Sequence, residues 1–155
     1  LKLLPKNGDL SNPNKWRGIA LLDICSKVIS SILANRLEEH FRTFANEAQC
    51  GSLKRKGCAD ANFSVSLSLQ TLKEYGESAY CIFVDLVKAY DTVNRDLLWQ
   101  VLEIYGIPNK IIIVLRKLYN NTTIFMKIES ITALFTATCG VKQGDKLAPI
   151  LFVLP

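Results

Sequence analysis

Residues 80–86 read Tyr-Cys-Ile-Phe-Val-Asp-Leu, a nearly unbroken apolar run of aromatic and branched side chains with a single charge, Asp85. A run with no alternating polar face has nothing to offer water, which marks a strand covered on both faces. Any fold adopted by this chain is therefore expected to place a layer on each side of that strand. It must also supply a partner for Asp85, because an unpaired buried carboxylate is costly even after relaxation. An Arg or Lys in a buried ion pair would serve. So would a divalent cation, for which a carboxylate at a strand end is a suitable hard oxygen ligand. Spacing alone leaves these two readings even. Asp91 follows six residues later, roughly 20 Å away along a straight strand, so the two carboxylates cannot share one ion unless the chain turns. If it turns after Leu86, Asp91 is expected to cap the segment leading to a helix near Asp96.

The rest of the chain falls into short elements. Residues 1–5 read as a strand or extended arm, and residues 6–14 as a polar loop. Between residues 26 and 44, Val28, Ile29, Ile32, Leu33, Leu37, Phe41 and Phe44 recur at the three-and-four spacing of an amphipathic helix. A loop with the basic run Lys54-Arg55-Lys56 leads into a second helix over residues 59–72, marked by Phe63, Leu67 and Leu69. Two further helices are expected over 96–105, ending at Gly106 and Pro108, and over 110–119, ending at Asn120-Asn121. Residues 123–128 and 133–138 form a hairpin around Glu129-Ser130. This order argues for an α+β domain rather than a regular βαβ series.

With 49% apolar and 21% charged residues the chain can bury a core. Nineteen Lys and Arg against fourteen Asp and Glu leave +5, compatible with a polyanionic partner but not proof of one. Five scattered cysteines without a CxxC pair, and one His, do not make a zinc pattern. They read instead as reduced core thiols of an intracellular protein. His40, on the polar side of the first helix, reads as ordinary surface. No stretch approaches the roughly 20 apolar residues of a membrane span, so no membrane partner is expected. The chain opens without Met and stops inside the apolar run of residues 151–155, which suggests a segment of something longer.

Gly140-Val-Lys-Gln-Gly-Asp-Lys-Leu-Ala-Pro149 gathers two glycines, a long amide and two lysines, which lets backbone approach a ligand while Gln143 offers donor and acceptor. It matches neither the P-loop nor the dinucleotide fingerprint, and alone could be an exposed connection. In order along the chain, however, the pieces resemble the reverse transcriptase domain of non-LTR retrotransposons. Asn14-Lys-Trp-Arg-Gly-Ile-Ala-Leu-Leu22 with Ser26-Lys-Val28 resembles the fingers block, and Glu47-Ala-Gln-Cys-Gly51 with Gly57-Cys58 the block after the first helix. Phe83-Val-Asp-Leu-Val-Lys-Ala-Tyr-Asp-Thr-Val-Asn94 resembles motif A, and Gly140 to Asp145 with Leu147-Ala-Pro149 resembles motif B.

The resemblance implies a right-hand polymerase, with fingers and fingers/palm elements over about 1–79 and palm over about 80–155. It implies RNA-directed DNA polymerase activity, in which two Mg2+ ions activate a primer 3′-hydroxyl and stabilise the leaving pyrophosphate. Asp85 would be the catalytic carboxylate and a ligand of both ions. Arg17, Tyr90, Gln143 and Gly144 would contact the incoming dNTP, with Tyr90 beneath the sugar. Lys27, Lys54, Arg55 and Lys56 would follow the RNA template and DNA primer, although charge runs are more often simply solvated. The remaining palm, with motif C, and the thumb of the same polypeptide would be further partners, and this segment alone would be inactive. Nucleus and cytoplasm are the expected locations. This chain lacks the family's aromatic residue after Gly51, and has Lys54-Arg55-Lys56 where Pro-Gly-Arg is usual. A group II intron-type enzyme or a non-catalytic nucleic-acid-binding relic are the alternatives.

Overall fold

A computed structural model describes residues 1–128 and 130–153. Two antiparallel two-stranded sheets and five helices make an α+β arrangement. Strands β1 (Lys2–Pro5) and β2 (Trp16–Ile19) pair from Lys2 opposite Ile19 to Pro5 opposite Trp16. Helices α1 (Ile24–Phe41), α2 (Cys58–Glu74), α3 (Arg95–Ile104) and α4 (Asn109–Tyr119) follow. Then come β3 (Thr122–Ile128) and β4 (Ile131–Ala137), paired from Thr122 opposite Ala137, and finally α5 (Leu147–Val153). Glu129, assigned to the hairpin turn on sequence grounds, lies outside the described residues, as do residues 154–155.

The core is helical. Leu33 and Leu37 of α1 meet Leu98, Trp99 and Leu102 of α3, Ile112, Leu115 and Tyr119 of α4, and Leu147 and Leu151 of α5. Leu102, Leu115 and Leu147 have no exposed surface, and each such side chain contributes about 1.5–3 kcal/mol relative to an exposed one. The Asn94 carboxamide caps α3 by accepting from the Leu97 amide at 3.1 Å. At its other end Gly106, at φ +73°, lets the chain reverse into α4.

Several expectations need correction. Residues 80–86 form no strand, and Tyr80 and Phe83 are 96% and 92% exposed. The strand covered on both faces that the apolar run predicts is therefore not found: no described element lies against either face. On α1 the buried face runs through Ser30, Leu33, Ala34, Leu37, Glu38 and Phe41, while Val28, Ile29 and Ile32 remain exposed. α2 forms as expected but buries none of its residues. The cysteines are not core thiols. All five are free, with Cys25, Cys58, Cys81 and Cys139 exposed and Cys50 half-buried, because Cys25 and Cys58 open helices and Cys81 lies in the uncovered segment. His40 is not ordinary surface either. Its Nε2 lies 2.7 Å from the Tyr105 carbonyl, which accepts, and its ring meets Phe44 edge-on at 5.2 Å.

Candidate active site

The segment that resembles motif A ends in a tight turn rather than continuing straight. Lys88 takes φ +51°, and its carbonyl accepts from the amides of Asp91 at 2.9 Å and Thr92 at 3.1 Å. The turn brings residues 90–93 back beneath the loop of residues 139–145. Asp91 does not cap the next helix; Asn94 does. The Asp91 carbonyl instead receives the Cys139 thiol at 3.5 Å.

The loop is fastened to that turn at main-chain level. The Gly140 amide donates to the Val93 carbonyl and the Val141 amide to the Tyr90 carbonyl, both at 2.8 Å. Only glycine fits at 140: φ is +78°, and a Cβ would lie 2.7 Å from the Asp91 carbonyl oxygen. On its other side the loop meets the β1–β2 hairpin. The Ala20 amide donates to the Gln143 carbonyl at 2.7 Å, and a Cβ on Gly144, at φ +105°, would lie 2.9 Å from the Ala20 carbonyl oxygen. Two glycines therefore allow one loop to touch backbone on both flanks. The loop joins the turn bearing Tyr90 to the end of β2, the strand bearing Arg17.

Asp145 closes the loop from inside. Its buried carboxylate accepts from the Ser30 hydroxyl at 3.1 Å and from the Leu147 amide at 3.3 Å. The Lys142 ammonium donates to the Leu118 carbonyl at 2.9 Å and lies 5.2 Å from the Tyr119 ring centre. Burial lowers the Lys142 pKa, partly opposed by the Asp145 charge. Burial, reinforced by Asp145, raises that of the Tyr119 hydroxyl, which is buried and has no hydrogen-bond partner among the described residues. A cavity of about 860 Å³ opens between the two hairpins, with Asp23, Ser26, Asp91, Arg95, Lys142 and Gln143 in its wall.

The residues singled out from sequence are distributed as follows. Asp85 is exposed on the segment just before the turn, so burial does not by itself demand a partner for it. Among the described residues no three His, Cys, Asp or Glu side chains gather to hold a metal ion. Asp85 offers a single oxygen donor group, chemically suited to a hard divalent cation as one member of a larger ligand set. Tyr90 is half-buried, its ring stacked on Phe152 at 5.0 Å and 29°. Arg17 is exposed on β2, Gln143 is half-buried and Gly144 exposed. Lys27 and Arg55 are exposed. Lys54 is not simply a solvated charge: its ammonium sits 3.0 Å from the buried Glu38 carboxylate and 3.2 Å from the Asn35 carbonyl oxygen. Lys56 donates to the Glu47 carbonyl at 2.6 Å. Burial raises the Glu38 pKa, but hydrogen bonds from Lys54 and its charge outweigh this and hold it below the ordinary value. Sequence reasoning missed Arg95 and the buried position of Asp145. Asp145 could have been suspected from its place beside Gly144, since a carboxylate two residues before a helix is a natural cap.

The loop is thus seated between the turn of residues 88–93 and the end of β2. The model of the reverse transcriptase (RNA-dependent DNA polymerase) family matches residues 4–154, and the chain belongs to that family. Its relatives include the retrovirus-related Pol polyprotein of the type-1 retrotransposable element R2 from Popillia japonica, 29% identical over 97% of this chain and 21% of that protein. The corresponding protein of the type-2 element R2DM from Drosophila melanogaster is 29% identical over 97% of the chain and 14% of its own length. The transposon TX1 uncharacterized 149 kDa protein from Xenopus laevis is 28% identical over 99% of the chain and 12% of its own length. The chain spans between 12% and 21% of the length of these three relatives.

Proposed function

We propose that the chain forms the fingers (about 1–79) and part of the palm (about 80–155) of an RNA-directed DNA polymerase that extends a DNA primer on an RNA template. The observation that carries this reading is the double seating of residues 139–145, against the Tyr90 turn and against the end of β2. The loop thereby joins the turn that follows Asp85 to the strand that carries Arg17, which supports the reading.

Asp85 holds Mg2+ together with carboxylates of the remaining palm. Bound there, two ions supply activation of the primer 3′-hydroxyl and stabilisation of the leaving pyrophosphate. Arg17 grips the triphosphate, its planar fork suited to paired phosphate oxygens. Gly144 lets main chain approach the nucleotide, and Gln143 offers it an amide. The half-buried Tyr90 ring, backed by Phe152, lies under the sugar and excludes a 2′-hydroxyl by steric overlap. Lys27 and Arg55 extend a basic surface for the nucleic-acid backbone, with Lys54 and Lys56 largely occupied in holding their own loop. The apolar side chains of residues 80–87 are covered on both faces by the rest of the palm in the complete polypeptide.

The test is primer extension on an RNA template by the complete polypeptide containing this chain, with Mg2+ present. The wild type extends the primer and Asp85→Asn does not. Extension that survives Asp85→Asn undiminished would sink the assignment.

A further inference from the structure

Among the described residues, Arg95 is a cation with no carboxylate partner. It opens α3 at the rim of the cavity, and neither of the two described salt bridges includes it. Its guanidinium instead spends its donors on main-chain carbonyls. Nε donates to Gly140 at 2.8 Å, Nη1 to Tyr119 at 2.9 Å and to Ala137 at 2.8 Å, and Nη2 to Cys139 at 3.0 Å. Four of the five N–H groups of an arginine are engaged in this way. The guanidinium carbon also sits 5.3 Å from the centre of the Tyr119 ring, within reach of a cation–π attraction. Burial lowers the pKa of this group, with opposing contributions from Tyr119 and Cys139.

The four acceptors belong to three structures. Tyr119 is the last residue of α4, Ala137 the last of β4, and Cys139 and Gly140 begin the loop that carries Gln143 and Gly144. A helix C-terminus presents unpaired carbonyls and favours a nearby positive charge, which gives the fork a firm anchor on α4. Lys142 reaches the same last turn from the far side of the loop, through the Leu118 carbonyl. The beginning of the loop is thus clamped by Arg95, and its middle is tied by Lys142, to a single rigid helix end. A lysine at position 95 could not reproduce this. One ammonium cannot direct donors to four carbonyls spread along a planar fork.

We infer that Arg95 is a positioning residue for nucleotide binding, fixing residues 137–140 so that Gln143 and Gly144 are held ready for the incoming dNTP. This rests on the polymerase reading above. Asp85 lies outside the clamp, so loosening it lowers the fraction of molecules with a binding-competent loop and leaves the chemical step untouched. Apparent affinity then falls by that same fraction.

The experiment uses the complete polypeptide with Arg95→Lys and Arg95→Ala, measuring KM for dNTP, kcat, and amide exchange at residues 140–141. If nine loops in ten lose the competent placement, KM rises about tenfold while kcat stays within about threefold. Exchange at the Gly140 and Val141 amides should quicken in both variants, with exchange in the α3 and α4 cores unchanged. Millimolar methylguanidinium should restore KM in Arg95→Ala. Unchanged KM with unchanged exchange in the folded Arg95→Lys protein overturns the inference. A loss confined to kcat does so as well. Global unfolding of both variants also overturns it, since the fork would then serve the fold rather than the loop. If the folded wild type fails to extend primers, the polymerase reading fails instead, and the exchange measurement still decides whether Arg95 holds the loop.

Discussion

Gly140→Ala probes the seating of the loop on the motif A turn most sharply. At φ +78° an alanine is strained, which costs about 1–2 kcal/mol for an L-residue in left-handed backbone. Its Cβ would also stand 2.7 Å from the Asp91 carbonyl oxygen, 2.9 Å from the Asp91 Cα and 2.9 Å from the Tyr90 carbonyl oxygen. All three are main-chain atoms, so no side chain can rotate aside. Overpacking of this kind adds about 1–3 kcal/mol. Gly76 provides the control, with nearly the same φ of +71° and nothing within 4 Å of an added Cβ. Gly76→Ala therefore carries only the strain. Thermal unfolding followed by circular dichroism should lower Tm by roughly 2–4 °C per kcal/mol in a chain of this size, so Gly140→Ala should fall clearly further than Gly76→Ala. Equal losses for the two variants would mean that residues 139–145 do not rest on residues 90–93, and the architecture of the site would be wrong.

Other consequences can be measured separately. In the complete enzyme, Tyr90→Val should shift the ratio of rNTP to dNTP incorporation efficiency toward ribonucleotides while dNTP use survives; an unmoved ratio would make Tyr90 a packing residue. Binding to single-stranded or duplex nucleic acid should weaken as salt rises, and Arg17→Ala with Lys27→Ala should flatten the slope; salt-independent binding would count against a backbone-tracking surface. Because Lys54 holds the Glu38 pKa below its ordinary 4.5, the stability it contributes is present above that value and is lost as pH falls through the lowered one. Lys54→Met should therefore reduce Tm more at pH 6 than at pH 3, and an equal reduction at both would assign Lys54 no electrostatic part.

Much of the helical framework was legible because it depends on local rules. Gly106 and Pro108 punctuate the break between α3 and α4 whatever surrounds them, and the hairpin survives with β3 starting one residue earlier than expected and β4 spanning Ile131–Ala137 rather than 133–138. What failed depended on neighbours. The apolar run at residues 80–86 led to the expectation of a covered strand, but composition alone does not say which element would cover it, and none of the described ones does. The stripe on α1 rotated toward Ser30 and Glu38 because Asp145 and Lys54 reach those side chains from distant segments. Asp85, Tyr90 and Gln143 stood out through motif order, whereas Arg95 carried no signal: its partners are carbonyl oxygens, which every residue possesses. The same holds for His40, whose acceptor is the Tyr105 main chain.

The central claim is that Asp85 holds the ions of nucleotidyl transfer beside a nucleotide resting on Tyr90 and the 139–145 loop. A crystal of the complete polypeptide with primer, RNA template and a non-hydrolysable dNTP, grown with Mn2+ in place of Mg2+, tests it directly by anomalous diffraction. The account predicts an anomalous peak about 2.1 Å from an Asp85 carboxylate oxygen, with the sugar over the Tyr90 ring. Manganese bound with the nucleotide but away from Asp85 would contradict it.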